Sequence, residues 1–352
     1  MKARLRRGLG LVGSIGVGLG LLGGVLYWVG WRGVVAAIHA LGTAGMLGVV
    51  GAVMLAMAAW ILSWWIILRG YGIHLRLATV TAARLGGYAI SYLTPTLYFG
   101  GEPVRAMMVV GRTAAPTTRI FATIIVERFL GGLSLLVFVL IGTFYAILSP
   151  SVDLLNRRAV VGGVLFVTFW IVVGMIDFAG NFKWISRSIR MLRHLLPRFQ
   201  RGLIRAAKRV SETEDEISFA FTQHWKSTLL AFAVQLLATF FAYMRPQVFF
   251  FFSAGRTFGF PQLSLLFTFN LLLSFLLWIT PGGVGTGEAA LIGVFTLVNV
   301  GKEEAVAFSL VFKFFELILV AVGLTCLVRR GLGRIGGQKG RSGSEGETAE
   351  HV

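Results

Sequence analysis

Long apolar runs separated by short, mostly basic segments dominate the chain. Runs of roughly membrane-spanning length cover residues 9–29, 46–68, 120–148, 160–175, 227–252, 263–279 and 305–328. A helix of about 20 apolar residues crosses the hydrocarbon core of a bilayer. We therefore predict an all-α, polytopic integral membrane protein.

Two further places in the apolar sequence carry the same interruption, T-P-x5-G-E, at residues 94–102 and 280–288. A proline stops a helix and glycines free the backbone, so each interruption predicts a broken helix. The residues predicted to make the breaks are Pro95, Gly100, Gly101, Pro281, Gly282, Gly283 and Gly285. Broken helices at matching places in two halves are typical of transporters and predict two re-entrant helical hairpins. The alternative is that these glycines only allow close helix packing.

Composition agrees with a membrane protein, since 56% of the 352 residues are hydrophobic and 14% are charged. The net charge of +18 comes from basic residues between the apolar runs, which membrane topology explains better than nucleic-acid binding. We expect no nucleic-acid partner. The single cysteine, Cys326, excludes a disulfide within the chain, and the five histidines show no ligand spacing. We therefore expect neither a metal nor a cofactor.

The distribution of lysine and arginine predicts the orientation. With the N-terminus and the first hairpin on the cytoplasmic side, the inside segments 1–8, 69–119, 181–226 and 329–352 hold 25 of these residues and the outside segments hold 5. The inside count includes Arg84 and Arg105, which flank the first hairpin. This asymmetry predicts that both termini lie in the cytoplasm. The second hairpin then enters from outside, so the two halves have inverted topology.

The chain divides into a transmembrane domain at residues 1–330 and a polar, glycine-rich tail at residues 331–352, which we predict to be disordered. Within the domain, halves at about residues 1–180 and 226–330 are joined by segment 181–225. Basic and apolar residues alternate at helical spacing over residues 183–209, broken at Pro197. This pattern indicates an amphipathic segment on an anionic cytoplasmic leaflet, or else a solvated connector. Ser211 and Glu214 fit a capping box, which predicts that a new helix starts there.

Ionisable residues within apolar sequence cost a few kcal/mol each at the bilayer centre and are functional candidates by default. They are Glu102, Arg105, Glu127, Arg128, Arg245, Glu288, Lys313 and Glu316. Glu127 follows Glu102 by 25 positions and Lys313 follows Glu288 by 25, so we expect acids and bases of both halves to meet near the midplane.

Less specific interpretations remain open for several of these residues. Buried Glu–Arg pairs also serve only to lock helices together. Arg245 near the end of its span is placed to snorkel to the interface. Lys313 and Glu316, one turn apart, are placed to form a local ion pair.

Helices that restart after each break present free N–H groups and a positive dipole end, which suit an anionic group. Arg105, Arg128 and Lys313 add positive charge nearby. The natural anion for a site among apolar helices is a lipid phosphate whose acyl chains stay in the bilayer.

The ordered set of motifs resembles the lysylphosphatidylglycerol synthase transmembrane family, also described as flippase-like. The motifs are GGEPVR at residues 100–105, ER at Glu127 and Arg128, TPGGVGTGEAAL at residues 280–291, and Lys313 in the last apolar run. The resemblance covers about residues 5–330. It implies a helical inner-membrane protein that moves a phospholipid or a polyprenyl-phosphate-linked lipid between leaflets. It also implies a substrate site at Glu102, Arg105, Glu127, Arg128, Glu288 and Lys313.

The sequence thus favours a lipid flippase or lipid transporter of the cytoplasmic membrane over an enzyme. The chain ends without the soluble aminoacyl-transfer domain of the full-length synthases, so we expect that it does not itself make lysyl lipid. Two alternatives remain: a membrane-embedded lipid-modifying enzyme with Glu102 or Glu288 as base, and an accessory subunit that scaffolds a lipid-synthesis enzyme partner.

Overall fold

The computed structural model describes residues 20, 22–94, 100–148, 154–195, 200–277 and 284–344. In this part of the chain, residues 22–29 are helical, and twelve further helices follow. They are α1 (Trp31–Gly70), α2 (Leu77–Leu93), α3 (Glu102–Val109), α4 (Thr117–Leu148), α5 (Leu154–Gly180), α6 (Trp184–Leu195), α7 (Gln200–Thr222), α8 (Trp225–Tyr243), α9 (Arg245–Ala254), α10 (Phe260–Leu277), α11 (Thr286–Thr296) and α12 (Lys302–Ser344). The described residues include no β-strand, so the predicted all-α class is confirmed.

Four stretches among the described residues are long and apolar enough to cross a membrane. They are Trp31–Gly70, Thr117–Phe144, Trp225–Ala254 and Lys302–Arg329. Large apolar side chains on these helices are exposed, as lipid-facing residues are in a protein taken out of its bilayer. The chain is therefore a multi-pass membrane protein.

The longest span, α1, forms the centre of the packing. It lies against α8, α9 and α12 and also contacts α4. Its helical path is interrupted at Gly42, whose φ of 63° lies in a region that favours glycine. Its Trp64 is fully buried and lies beside the charged residues described below.

Helices end and restart on either side of both T-P-x5-G-E sequences. In the first half α2 ends at Leu93 and α3 begins at Glu102, and in the second α10 ends at Leu277 and α11 begins at Thr286. Pro95, Pro281, Gly282 and Gly283 lie outside the described residues. That the breaks form re-entrant hairpins, and that the halves are inverted repeats, stays a prediction.

Two of the described break glycines have a clear steric reason. A Cβ on Gly101 would overlap the backbone carbonyl of Gly87, so the start of α3 lies directly against α2. The Gly101 N–H donates to Ser91 Oγ at 2.9 Å across this contact. Gly285, at the start of α11, has a φ of 83°, which an L side chain rarely adopts. The two interpretations of the glycines therefore both hold: Gly101 allows close helix packing, and Gly285 allows an unusual backbone conformation.

The predicted span at residues 227–252 is not one regular helix. α8 ends at Tyr243 and α9 begins at Arg245, with Met244 between them. The cause is Pro246, which has no N–H to bond the carbonyl four residues earlier, on Ala242. The interruption places Arg245 at the start of a new helix.

The helix start predicted at Ser211 is wrong, because Ser211 lies inside α7. The sequence resembles a capping box, but Glu214 caps α6 and not the helix on which it lies. Its Oε1 accepts the N–H groups of Ile185 at 3.1 Å and Ser186 at 3.3 Å, at the start of α6. A side chain that satisfies distant helix N–H groups cannot be recognised from local spacing.

Other predicted boundaries fall at the edges of the described residues. Most of the first predicted span, residues 9–29, lies outside them, as does Pro197 between α6 and α7. α12 extends to Ser344, into the tail predicted to be disordered, and no proline interrupts the chain there. Residues 345–352 are outside the described part.

The two halves meet where α2 packs along α12. A Cβ on Gly323 would overlap the Leu85 carbonyl, and a Cβ on Gly86 would come within 3.0 Å of Leu327 Cδ2. Small residues at a helix crossing allow backbones this close and increase van der Waals contact, the main attraction between helices in lipid.

A second junction joins α1, α4 and α7 around Glu216. Arg119 Nε donates to both Glu216 carboxylate oxygens at 3.0 Å, and the Tyr71 hydroxyl donates to the Glu216 carbonyl at 2.5 Å. Burial, reinforced by the Glu216 charge, raises the pKa of Tyr71 well above its ordinary value. The hydroxyl therefore keeps its proton and remains a donor.

The close contact between α2 and α12 predicts that Gly323→Ala destabilises the protein. The new methyl group would meet a backbone carbonyl, which cannot rotate away, and overpacking costs about 1–3 kcal/mol. Gly132→Ala is the matched control, since a Cβ there has no atom within 4 Å. Thermal unfolding of the purified protein in detergent should show a lower midpoint for Gly323→Ala alone. Equal midpoints for the two variants would contradict this packing.

Candidate functional site

The Glu127 carboxylate on α4 lies at the centre of a buried charge cluster. Its Oε2 accepts hydrogen bonds from Arg84 Nη1 on α2 and from Arg105 Nη1 on α3, both at 2.9 Å. The side chains of Arg105 and Glu127 are 1% exposed and that of Arg84 is 9% exposed. One carboxylate thus ties together three helices, including both helices that flank the first break.

The environment of Arg105 is unusual for a buried guanidinium. Its Cζ lies 4.1 Å from the centroid of the Trp64 ring, a cation–π contact. Trp64 is itself held by a hydrogen bond from Nε1 to Thr123 Oγ1 at 3.2 Å. In the described part of the chain, Arg105 Nε and Nη2 have no hydrogen-bond partner. Two donors of a fully buried cation therefore remain available next to the first break.

Glu102 and Arg128 form a second ion pair at the edge of this cluster. Arg128 Nε and Nη2 both approach Glu102 Oε1 at 2.7 Å. The Glu102 side chain is 20% exposed and that of Arg128 is 31% exposed, so this pair is open to its surroundings. Glu102 is the first residue of α3, where a carboxylate also favours the positive end of the helix dipole.

The second half repeats this arrangement in a closed form. Glu288, in the first turn of α11, is 0% exposed, and its Oε1 accepts a hydrogen bond from Lys313 Nζ on α12 at 2.6 Å. Ser309 Oγ donates to the same oxygen at 3.3 Å, and the Gly285 N–H donates to Oε2 at 2.7 Å. Both oxygens of this carboxylate are therefore engaged, one of them in fixing the backbone of the break.

The remaining intramembrane charges pair with each other. Arg245 Nη1 donates to Glu316 Oε1 at 3.1 Å, and both side chains are less than one-fifth exposed. Arg245 Cζ also lies 5.3 Å from the Phe312 ring centroid. Arg245 therefore does not snorkel to an interface, and Glu316 pairs across helices rather than with Lys313 on its own helix.

Each of these five ion pairs joins residues of one half, rather than acids and bases of different halves as we expected. The first cluster includes Arg84 on α2, the charged groups of the second half include Lys313 and Glu316 on α12, and α2 packs along α12. The two charged regions are thus neighbours across the contact of α2 with α12. All six predicted site residues lie in one or other region.

Arg84 is a site residue that the sequence analysis missed. We counted it as a basic residue flanking the first hairpin, and its apolar neighbours in Leu77–Leu93 were the signal against that assignment. Arg84 and Arg105 are buried in ion pairs, so neither belongs in the count of cytoplasmic charges. Without them, the segments predicted to lie inside hold 23 basic residues and those predicted to lie outside hold 5.

An open groove of about 390 Å³ lies apart from this cluster. It is lined by Gly33, Ala36, Ala37, Ala40, Ser253, Arg256, Gly301, Glu303 and Glu304. None of the paired residues described above lines it. We give greater weight to the buried ion pairs than to this cavity, because charge inside a membrane is costly and the groove is at the ends of helices. Among the described residues, no group of three His, Cys, Asp or Glu side chains is placed to hold a metal.

Fold and charge placement together define a multi-pass, all-α membrane protein whose polar groups converge at the starts of two short helices. The chain belongs to the family described as the lysylphosphatidylglycerol synthase TM region, whose model matches residues 12–323. It is also 22% identical over 314 residues to a UPF0104 membrane protein of Pyrococcus horikoshii, an alignment that covers 81% of this chain and 87% of that protein. No solved structure matches.

The difference in burial between the clusters predicts different costs of neutralising their acids. Glu127→Gln leaves Arg84 and Arg105 buried without a counter-charge, which costs about 3–5 kcal/mol when a buried pair is broken. Glu102→Gln breaks a partly exposed pair and should cost about 0–1 kcal/mol, as pairs open to solvent do. Thermal unfolding in detergent, with folded yield from size-exclusion chromatography, measures both. A larger loss for Glu102→Gln would show that Glu127 is not the residue that stabilises this cluster.

Proposed function

We propose that this protein moves a lipid with an anionic head group between the leaflets of the cytoplasmic membrane. The observation that carries the proposal is the charge at the first break. The cluster contains three arginines and two glutamates, so it has one positive charge in excess: Arg84, Arg105 and Arg128 with Glu102 and Glu127. A negative head group would offset that excess, and the two unpartnered nitrogens of Arg105, Nε and Nη2, are suitable donors for it.

The pairing of the two halves supports a cycle of alternating access. Each short helix after a break carries a glutamate that binds a base about one span later: Glu102 binds Arg128, and Glu288 binds Lys313. The first pair is partly exposed and the second is closed around a fully buried carboxylate. We take these as the open and closed states of equivalent gates in inverted repeats, which exchange roles as the lipid crosses.

The ion pairs would also allow a lipid head group to bind and then to be released. A head group that binds Arg128 competes with Glu102, so that release is helped by re-formation of the internal pair. Apolar side chains exposed on the spans leave room for acyl chains to follow outside the protein. The head group alone then requires a polar path.

Exchange of a labelled lipid in reconstituted vesicles tests the proposal. Vesicles with purified protein should exchange a fluorescent phosphatidylglycerol between leaflets faster than protein-free vesicles, measured by bleaching the outer leaflet with dithionite. Arg128→Gln should slow this exchange by about tenfold or more, since one charged hydrogen bond contributes about 1.5–3 kcal/mol. Arg256→Gln is the matched control, because it also breaks an Arg–Glu pair, with Glu304, but away from both breaks.

Each other outcome of this experiment counts against the proposal. Wild-type protein that leaves the exchange rate unchanged refutes transport of this lipid class. Chemically altered lipid, detected by mass spectrometry, supports a lipid-modifying enzyme instead. Neither exchange nor alteration supports an accessory subunit of a lipid-synthesis complex. Equal rates in Arg128→Gln and Arg256→Gln refute the assigned site.

We further propose that both termini lie in the cytoplasm, on the basis of the lysine and arginine asymmetry. Single cysteines in a Cys326→Ser background test this. Ala114→Cys lies in the exposed loop after α3 and Thr257→Cys in the exposed loop after α9. A membrane-impermeant maleimide should label Thr257→Cys in intact cells and Ala114→Cys only after permeabilisation. The reverse pattern contradicts the orientation.

A further inference from the structure

α6 has an apolar side that no part of the described protein covers. Trp184 is 40% exposed, Ile185 is 51% exposed and Met191 is 74% exposed. At about 100° per residue these three positions lie on one side of the helix. Phe182, just ahead of the helix, is 47% exposed and stacks on Trp184. Four large apolar side chains are therefore presented together on the outside of the molecule.

A basic side adjoins this apolar side along the same helix. Arg187 and Arg190 are both exposed, and their spacing of three residues places them next to each other. The helix thus has the amphipathic and cationic character of helices that lie in a membrane interface.

The contacts of α6 fix which side faces outward. Ser186 is fully buried on the side that packs against α7. The Trp184 N–H donates to Asp177 Oδ1 at 3.1 Å, and Glu214 accepts the next two N–H groups. Two acidic side chains thus satisfy N–H groups at the start of α6 and fix its orientation.

Asp215 adds a second attachment just before α6. Its carboxylate accepts hydrogen bonds from Lys183 Nζ at 2.8 Å and from Asn181 Nδ2 at 2.9 Å. Burial acts to raise the pKa of Asp215, but these two hydrogen bonds outweigh it and the pKa lies below its ordinary value. A depressed carboxylate pKa keeps this contact at neutral pH, and it is lost only as the pH falls through that lowered pKa.

α7 differs from α6 because it packs on the protein. Its Ala207, Ile217 and Ala220 are buried, and Glu216 binds Arg119 and Tyr71. Of the segment 183–209, which we predicted to bind lipid, α6 is therefore the part that is left to face a membrane. The helix that precedes α6 in the chain, α5, also exposes large apolar side chains, among them Phe169 at 60% and Ile176 at 49%.

We propose that α6 lies in the membrane interface, with Trp184, Ile185 and Met191 among the acyl chains and Arg187 and Arg190 bound to phosphates of an anionic leaflet. The occupant of the apolar face is lipid because only three residues separate α6 from α5, which also exposes large apolar side chains. The adjoining arginines match the negative charge of such a leaflet. This proposal is independent of lipid transport.

Nitroxide labels on single cysteines test the depth of the helix in the full-length protein. In a Cys326→Ser background, labels at Ile185→Cys and Met191→Cys should collide mainly with lipid-soluble oxygen in vesicles that contain phosphatidylglycerol. Labels at Arg187→Cys and Arg190→Cys should collide mainly with a water-soluble nickel chelate. Equal nickel access at all four positions means a solvated helix and overturns the proposal. Protection of positions 185 and 191 from both reagents means that a protein covers the face, which also overturns it.

Lipid charge tests the role of the arginines. The label at position 185 should lie deeper in vesicles with phosphatidylglycerol than in phosphatidylcholine alone, and Arg187→Gln with Arg190→Gln should abolish the difference. Lys208→Gln with Arg209→Gln on α7 removes the same charge from exposed positions and should leave the difference intact. A difference that survives in the α6 variant, or disappears in the α7 variant, refutes phosphate binding by α6.

Discussion

The structure depends on how one carboxylate compensates charge in a medium of low dielectric constant. Glu127 neutralises only one of the two guanidinium groups that contact it, and all three side chains are less than one-tenth exposed. The electrostatic cost is lowered by the Trp64 ring over Arg105 and by Glu102 with Arg128 at the edge of the cluster. Because these groups come from α1, α2, α3 and α4, the cluster also determines how the helices around the first break are arranged.

At the second break the contacts are different. There a single glutamate bonds the backbone of the break, a hydroxyl and an ammonium at once, so its oxygens are satisfied within the protein. Equivalent positions in the two halves thus have the same charges but unequal exposure. The alternating-access cycle proposed above requires such inequality in any one conformation, because its two halves must then differ.

Local pattern was enough to predict the helical class, most spans and eight ionisable residues of the charged regions, because apolar length and isolated charges are visible in any sequence. Which charged residues pair with one another could not be predicted. Glu127 lies beside Arg128 in the chain, yet it binds Arg84 and Arg105, since neighbouring residues on a helix point in different directions. Arg84 was missed because an arginine at the edge of an apolar run resembles a topology signal. Pro246 gave a local signal for the break at Met244 that the apolar run obscured.

Glu216 connects parts of the molecule that otherwise have separate roles. Through Arg119 it holds the first turn of α4, and through α7 it is joined to the helix proposed to rest on the leaflet. If α6 lies on the leaflet as proposed, the helix that carries Glu127 and Arg128 is connected to the membrane surface through α7 and α6. In that proposed arrangement a tilt of α4 would also move α7 and α6, so that the lipid composition of one leaflet would act as a mechanical load on the charged centre.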